Sequence, residues 1–263
     1  MSDLARETIE QALTTKCLGR SVLYLARVGS TNDVAHAQAT TAAEGLLIVA
    51  DEQTAGRGRL ARGWWSPPGA NLLMSLLLRP PLPARRAGQL TMCLGLAAAE
   101  GIEAVVGVRA MLKWPNDLVW RGRKLGGMLT ELRLNGEQIE YAVLGLGINV
   151  NVDFARAAGV PAELRETATS LLMITGHPVA RLDLLAAILS RCEAWYDRLL
   201  AGESLHEAWA GRLDTLGREV RVSLPTAELR GVATRVTPDG ALIIRTAAGR
   251  EETIWAGDVQ MVR

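Results

Sequence analysis

Between residues 109 and 150, four apolar segments, "RAMLKW", "DLVW", "GGMLTELRL" and "EYAVLGLGINVN", are separated only by turn signals at Pro115-Asn116, Arg121-Gly122 and Asn135-Gly136. Strands joined by such short turns put a sheet at the centre of the fold. The Asn135-Gly136 pair predicts a hairpin of type I′, a turn that needs two positive φ values. "GLLIVADE" and "NLLMSLLLR" add two buried strands, the second stopped by Pro80, Pro81 and Pro83. "RETIEQALTT" reads as a short helix and "SVLYLARV" as a strand. "GSTNDVAHAQATTA" reads as a helix capped by Ser30, Thr31 or Asn32. "ARRAGQLTMCLGLAAAEGIEAVV" has the alanine content and length of a buried helix. "RLDLLAAILSRCEAWYDRLLAG" repeats its apolar residues at three and four and stops at Gly202. From Asp214 onward, "REVRVSL", "ELRGVATRVT", "GALIIRT" and "ETIWAG" alternate with turns at Pro225, Pro238-Asp239-Gly240 and Ala248-Gly249, the pattern of a small antiparallel barrel. The expected fold class is α+β: a mixed β-sheet backed by helices over residues 1–213, with a small C-terminal β domain over residues 214–263.

Net charge narrows the function classes. It is +1 over 263 residues, so no global field draws the chain to nucleic acid or membrane, and any cation chemistry is local. The three cysteines, Cys17, Cys93 and Cys192, are far apart and form no C-x-x-C pair. Neither a disulfide framework nor a zinc site is indicated, which fits a reducing compartment. The N-terminal "MSDLARETIE" is charged, unlike a signal peptide, and no run approaches the roughly 18 apolar residues of a membrane span. A cytoplasmic location and no membrane partner are expected.

Three stretches can carry chemistry. In "DEQTAGRGRLARGWWSPPGAN" (51–71), Arg57, Arg59 and Arg62 lie among Gly56, Gly58 and Gly63, directly before Trp64 and Trp65. Glycine-rich backbone can form an anion-binding concavity, guanidinium forks add bidentate charge, and the indoles can wall an apolar ligand. A solvated loop, a nucleic-acid-binding segment and a mobile clamp over an anionic small molecule all remain open on these residues alone. In "KWPNDLVWRGRKLGG" (113–127), Pro115 presents Asn116 and Asp117 at a strand end between Lys113 and Lys124, and Gly126-Gly127 implies close approach to the backbone. In "GLGINVN" (145–151), Asn149 is either a turn residue or a hydrogen-bonding group at the rim of a site. No Ser-His-Asp set, G-x-S-x-G elbow or metal cage is present. The inventory suits positioning and charge neutralisation at phosphate.

Taken together, "STN" (30–32), "DEQTAGRGR" (51–59), "WWSPPGANL" (64–72), "KWPNDL" (113–118), "RKLGGML" (123–129) and "GLGINVN" (145–151) resemble, in order and spacing, the motifs of biotin–protein ligases (biotin–[acetyl-CoA-carboxylase] ligases). The resemblance covers roughly residues 20–200, and the β-rich tail is similar to the family's SH3-like domain. It implies the class II aminoacyl-tRNA synthetase-like catalytic domain of biotin and lipoate ligases, followed by a small SH3-like β-barrel. It also implies roles for residues. Ser30, Thr31, Asn32 and Gln53 would read the ureido ring of biotin. Gly56, Arg57, Gly58 and Arg59 belong to the loop that folds over the biotin carboxylate and the α-phosphate. Lys124 would contact both of those groups, Gly126 and Gly127 would line the biotin pocket, and Trp64 would form its aromatic wall. Asn116, Asp117 and Asn149 would lie on the nucleotide side with Arg59, Lys124 and Arg62. Ala61 stands where the family commonly has glycine, which leaves the contact of Arg62 open. The metal ligands stay unassigned.

The activity so implied has two steps, ATP-dependent formation of biotinyl-5′-AMP and transfer of biotin to a lysine of a biotin carboxyl carrier protein, with ATP and biotin as substrates and Mg²⁺ as cofactor. Arg57, Arg59 and Lys124 would be the catalytic cations. Residues 1–20 precede the first predicted strand, too few for the DNA-binding winged helix of bifunctional members, so a monofunctional ligase without specific DNA binding is expected. Family members are often dimers, which makes a homodimer one expected state. Two rival functions compete with this one. A lipoate–protein ligase or octanoyltransferase shares the fold, but the "GRGR" and "KWPND" pair argues against it. A non-catalytic nucleic-acid-binding protein is opposed by the near-neutral charge.

Overall fold

The computed structural model describes residues 3–223 and 228–262. Seven strands form one mixed sheet: β1 Ser21–Leu25, β2 Leu46–Ala50, β3 Leu72–Leu78, β4 Met111–Lys113, β5 Asp117–Trp120, β6 Arg123–Asn135 and β7 Gln138–Ile148. Their order is β1-β2-β3-β7-β6-β5-β4. Only β1 and β2 run parallel, because α2 (Thr31–Gln38) crosses over between them. Every residue of β2 and β3 is buried, the continuous apolar pattern of strands covered on both faces.

The two faces are covered unequally. The long helices α3 (Gly88–Val106) and α6 (Arg181–Leu200) pack on each other and share one apolar core with β3, β7 and α1 (Arg6–Ala12). Segment Ala84–Val106 is long and apolar enough to cross a membrane, contrary to the expectation from sequence. Yet 67% of its most apolar window is buried in the fold, as in the core helix of a soluble protein. On the opposite face, α2 sets Ala35 and Ala39 on Ile48, Leu77 and Val143. Beyond that patch the sheet carries Gly127, Gly145 and Gly147, so it is thin where β6 and β7 run side by side.

The hairpin turns exchange their expected geometry. At the β6–β7 turn Asn135 pairs with Gln138, and only Gly136 has positive φ (60°), so the expected type I′ turn over Asn135-Gly136 does not form. Both positive φ values occur instead in the β5–β6 turn, at Arg121 (48°) and Gly122 (77°). Arg121 rests its guanidinium 4.5 Å from the centroid of Trp120, a cation–π contact that favours this strained position.

Short helices α4 (Ala162–Thr167), α5 (Leu171–Thr175) and α7 (His206–Ala210) complete the helical part. The C-terminal strands β8 Glu219–Ser223, β9 Glu228–Val236, β10 Leu242–Arg245, β11 Glu251–Ile254 and β12 Asp258–Met261 make an antiparallel sheet in the order β11-β10-β9-β8-β12. Among the described residues no pairing joins β11 to β12, so the expected barrel is an open sheet. The expected turn at Pro225 lies outside the described residues. Val220, Val222 and Leu242 of this sheet enter the same core cluster as α3. Trp114 donates its indole N–H to the carbonyl of Gly240 (2.9 Å), tying the end of β4 to the β9–β10 turn.

Candidate active site

A cavity of about 480 Å³ lies against β3, β6 and β7, closed on one side by the arginine loop and on another by β12. Its polar end is the first turn of α2. Ser30 is the N-cap residue, but its side chain makes no capping bond and lines the cavity instead. Thr31 and Asn32 are inside the helix rather than capping it, and both are buried. The Thr31 backbone N–H lies 2.7 Å from Gln53 Oε1, and the Thr31 hydroxyl lies 2.9 Å from the same oxygen. The fully buried Ser75 Oγ is 2.7 Å from Thr31 Oγ1 and 2.6 Å from Asn32 Oδ1. Asn32 Nδ2 donates to Glu131 Oε2 (2.6 Å). A Cβ at Gly145 would overlap Asn32 Oδ1, so the glycine lets the amide lie on the sheet.

The arginine loop is folded over the cavity as a small hairpin. Gly69 N–H donates to Asp51 O (3.0 Å) at its base, Trp64 N–H to Gly56 O (2.8 Å), and Gly58 N–H to Arg62 O (2.7 Å). At the tip, residues Arg59–Ala61 form a 3-10 turn in which Leu60 has φ of 55° and is 71% exposed. Each arginine has a separate acceptor. Arg57 pairs with Asp33 (Nη1 to Oδ2, 2.9 Å), Arg59 donates to the carbonyl of Gly257 (3.3 Å), and Arg62 donates to Asp258 Oδ2 (2.8 Å). Hydrogen bonding to Arg57 holds the Asp33 carboxyl below the usual carboxylate range, and Arg62 does the same for Asp258. Burial pulls the Arg59 guanidinium below its ordinary value, opposed by the negative charges of Asp117 and Asp258. A guanidinium starts so far above neutrality that Arg59 stays charged.

Trp64 lies flat over Gly147, where a Cβ would stand 2.8 Å from its Cε2. The Lys124 ammonium is 5.7 Å from the Trp64 ring centroid and 2.6 Å from Asp117 Oδ1. Trp65 meets Phe154 at 5.9 Å between centroids, adding an apolar corner to the cavity beside Leu164 and Ala168. Asn116 donates its amide to Met128 O (2.5 Å), and the buried Asn149 donates to Thr169 O (3.0 Å). Both therefore also hold strands and loops in register.

The structure gathers Ser30, Thr31, Asn32, Gln53, Arg57, Gly58, Arg59, Arg62, Trp64, Asn116, Asp117, Lys124, Gly127 and Asn149 around this one cavity. Gly56 and Gly126 do not line it. Gly56 is needed for loop packing, since a Cβ there would stand 3.1 Å from Gln53 Nε2 and from Trp64 O. Gly126 faces into the sheet, where a Cβ would stand 2.8 Å from Gly147 O and 3.1 Å from Leu118 Cδ1. Sequence reasoning missed Ser75, Glu131, Phe154, Gly257 and Asp258. Ser75 had a signal: it is the one polar residue inside "LLMSLLL". Gly257 and Asp258 had none, because their place depends on how the C-terminal sheet docks.

A mixed sheet with a glycine floor, an arginine lid and a lysine–aspartate pair makes a site suited to an anionic small molecule, and comparison with known proteins places it among the ligases. Residues 24–149 match the Biotin/lipoate A/B protein ligase family, and residues 215–262 match the Biotin protein ligase C terminal domain. The bifunctional ligase/repressor BirA of Bacillus spizizenii is 34% identical over 261 residues, 98% of this chain and 79% of that protein. The biotin–[acetyl-CoA-carboxylase] ligase of Paracoccus denitrificans is 35% identical over 232 residues, 86% of this chain and 95% of that protein. Among solved structures, the biotin protein ligase of Aquifex aeolicus in complex with biotin and ATP superposes with a TM-score of 0.76 at 29% identity, covering 93% of this chain and 99% of that one. The chain belongs to the biotin–protein ligase family.

Proposed function

We propose that this protein activates biotin with ATP and transfers it to a lysine of a carrier domain. The observation that carries the reading is the meeting, in one cavity, of the polar α2 turn, three lid arginines and the Lys124–Asp117 pair over a floor of glycines. Thr31, Asn32 and Gln53 offer hydrogen-bonding groups for the ureido ring, and Trp64 covers the apolar body. Arg57, Arg59 and Lys124 line the same cavity and are the cations we assign to the carboxylate and the α-phosphate.

In the first step a biotin carboxylate oxygen attacks the α-phosphorus, an O–P bond forms, and the bond to the β-phosphate breaks to release pyrophosphate. Fixed cations neutralise the charge that grows on the phosphoryl oxygens, and the folded lid keeps water from the mixed anhydride. In the second step the carrier amine attacks the acyl carbon, loses a proton, and AMP leaves. Among the described residues no three His, Cys, Asp or Glu side chains converge as a cage. The cavity carboxylates are single: Asp117, Glu163 and Asp258. That donor set suits Mg²⁺ carried on the triphosphate, with Asp117 among the candidate ligands, and the ion would supply further charge neutralisation.

Biotin-dependent exchange of pyrophosphate into ATP tests the first step without any carrier. Exchange with biotin and none with lipoate is the expected result; exchange with lipoate alone would replace this reading.

A further inference from the structure

We infer that Glu131 is a positioning residue that sets the hydrogen-bond direction of the whole polar end of the cavity, an inference that rests on the ligase reading above. The Asn32 side-chain nitrogen faces two acceptors, Glu131 Oε2 at 2.6 Å and the carbonyl of Leu129 at 3.4 Å. A carboxylate accepts only, so the amide has one orientation and Asn32 Oδ1 must point at Ser75. The carboxylate is itself held from behind: His36 Nε2 lies 3.4 Å from Glu131 Oε2, and Tyr141 OH lies 3.3 Å from His36 Nδ1.

The proton count then propagates. Three short contacts link Gln53 Oε1, Thr31 Oγ1, Ser75 Oγ and Asn32 Oδ1, but the two hydroxyls hold only two protons. Asn32 Oδ1 can only accept, so the Ser75 proton goes to it. The Thr31 proton then goes to the closer of its two remaining acceptors, Ser75 Oγ at 2.7 Å rather than Gln53 Oε1 at 2.9 Å. Gln53 Oε1 is left with the Thr31 backbone N–H alone. The result is a pair of spare acceptors, Thr31 Oγ1 and Gln53 Oε1, on residues that line the cavity. A ligand ring presenting N–H donors, as the ureido group does, supplies what the network lacks. Without an acceptor at position 131 only the long 3.4 Å contact to the Leu129 carbonyl holds the Asn32 amide, so it turns over more readily, the relay reverses in that population, and the same residues offer a donor where an acceptor was needed.

The test uses Glu131→Ala and Glu131→Gln in the intact protein, with pyrophosphate exchange as the assay. Glu131→Ala should raise KM for biotin roughly tenfold to a hundredfold, the scale of a mispaired buried polar group, and leave kcat and KM for ATP within about twofold. Glu131→Gln keeps an acceptor oxygen for Asn32 Nδ2 and should stay within about threefold of wild type. Ser75→Ala breaks the relay from its other end and should raise KM for biotin in the same way, so the inference stays testable if Glu131→Ala folds poorly. With ¹⁵N-labelled biotin bound, the ureido N–H proton resonance should move upfield in Glu131→Ala and in Ser75→Ala but not in Glu131→Gln, a signature that general loosening of the fold does not give. An unchanged biotin KM in Glu131→Ala and Ser75→Ala, or equal impairment of Glu131→Ala and Glu131→Gln, overturns the inference. A wild type inert with biotin sinks the ligase reading instead, so the two failures are distinguishable.

Discussion

Replacing Gly147 by alanine puts a methyl carbon 2.8 Å from Trp64 Cε2 and 2.9 Å from Cζ2. Non-bonded carbons settle at roughly 3.5–4.0 Å, so the overlap is about 1 Å against a rigid ring. The Trp64 backbone is pinned, its N–H held by Gly56 O at 2.8 Å, so relief has to come from movement of the ring itself. Overpacking of this kind costs roughly 1–3 kcal/mol. The strain falls on the lid, since the strands are fixed by their ladders and the indole is the outer layer. Trp64 should therefore tilt off the sheet, and biotin affinity should drop about fivefold to a hundredfold, while the melting temperature stays within about 3 °C of wild type. Gly127→Ala is the matched control: its methyl would stand 3.4 Å from Lys124 Cε and Nζ, the far end of a flexible chain that can swing away. That variant should lose less biotin affinity than Gly147→Ala. Titration calorimetry and thermal melts on both proteins decide the matter. Wild-type affinity in Gly147→Ala, or a collapse in stability with affinity intact, would refute the reasoning.

Further expectations concern other parts of the site. Lys124→Ala removes the partner of Asp117 and a cation at the phosphate position; pyrophosphate exchange should fall by at least about a hundredfold with the fold intact by circular dichroism. Asp258 has a folded-state pKa below its ordinary value, so its pairing with Arg62 is complete above the ordinary carboxylate pKa and is lost as pH falls through the depressed one. Asp258→Asn imitates the protonated state at neutral pH and should speed tryptic cleavage after Arg59 and Arg62, whereas an unchanged cleavage rate would show that β12 does not hold the lid. Trp114→Phe deletes the indole bond to Gly240 O and should lower stability by about 1–2 kcal/mol in urea unfolding.

Local chemistry was legible in the sequence wherever neighbours along the chain determine it. The all-buried strands "LLIVA" and "LLMSLLL" follow from uninterrupted apolar runs, and the helix Arg181–Leu200 from its three–four spacing. The cation loop and the Pro115 turn were visible because glycine and proline act on their own backbone. What failed depended on partners elsewhere. Asn135-Gly136 has the composition of a type I′ turn, but register places Gly136 and Glu137 in the loop, and the two left-handed positions fall at Arg121-Gly122. Ser30 has the chemistry of a helix cap, yet its side chain faces the cavity. Gly126 and Gly127 looked equivalent, but adjacent strand residues point to opposite faces, and only Gly127 reaches the cavity.

The hydrogen bond from Arg59 to Gly257 spans 198 positions and the pair Arg62–Asp258 spans 196. During synthesis at roughly 5–20 residues per second, the lid is made and then waits about 10–40 seconds before the backbone that anchors its tip exists. The sheet, the polar α2 turn and the glycine floor can assemble in that interval, so the pocket for the acid is complete before the device that covers its activated form. A ribosome stalled before residue 257 would therefore carry a lid whose tip lacks both of its C-terminal acceptors.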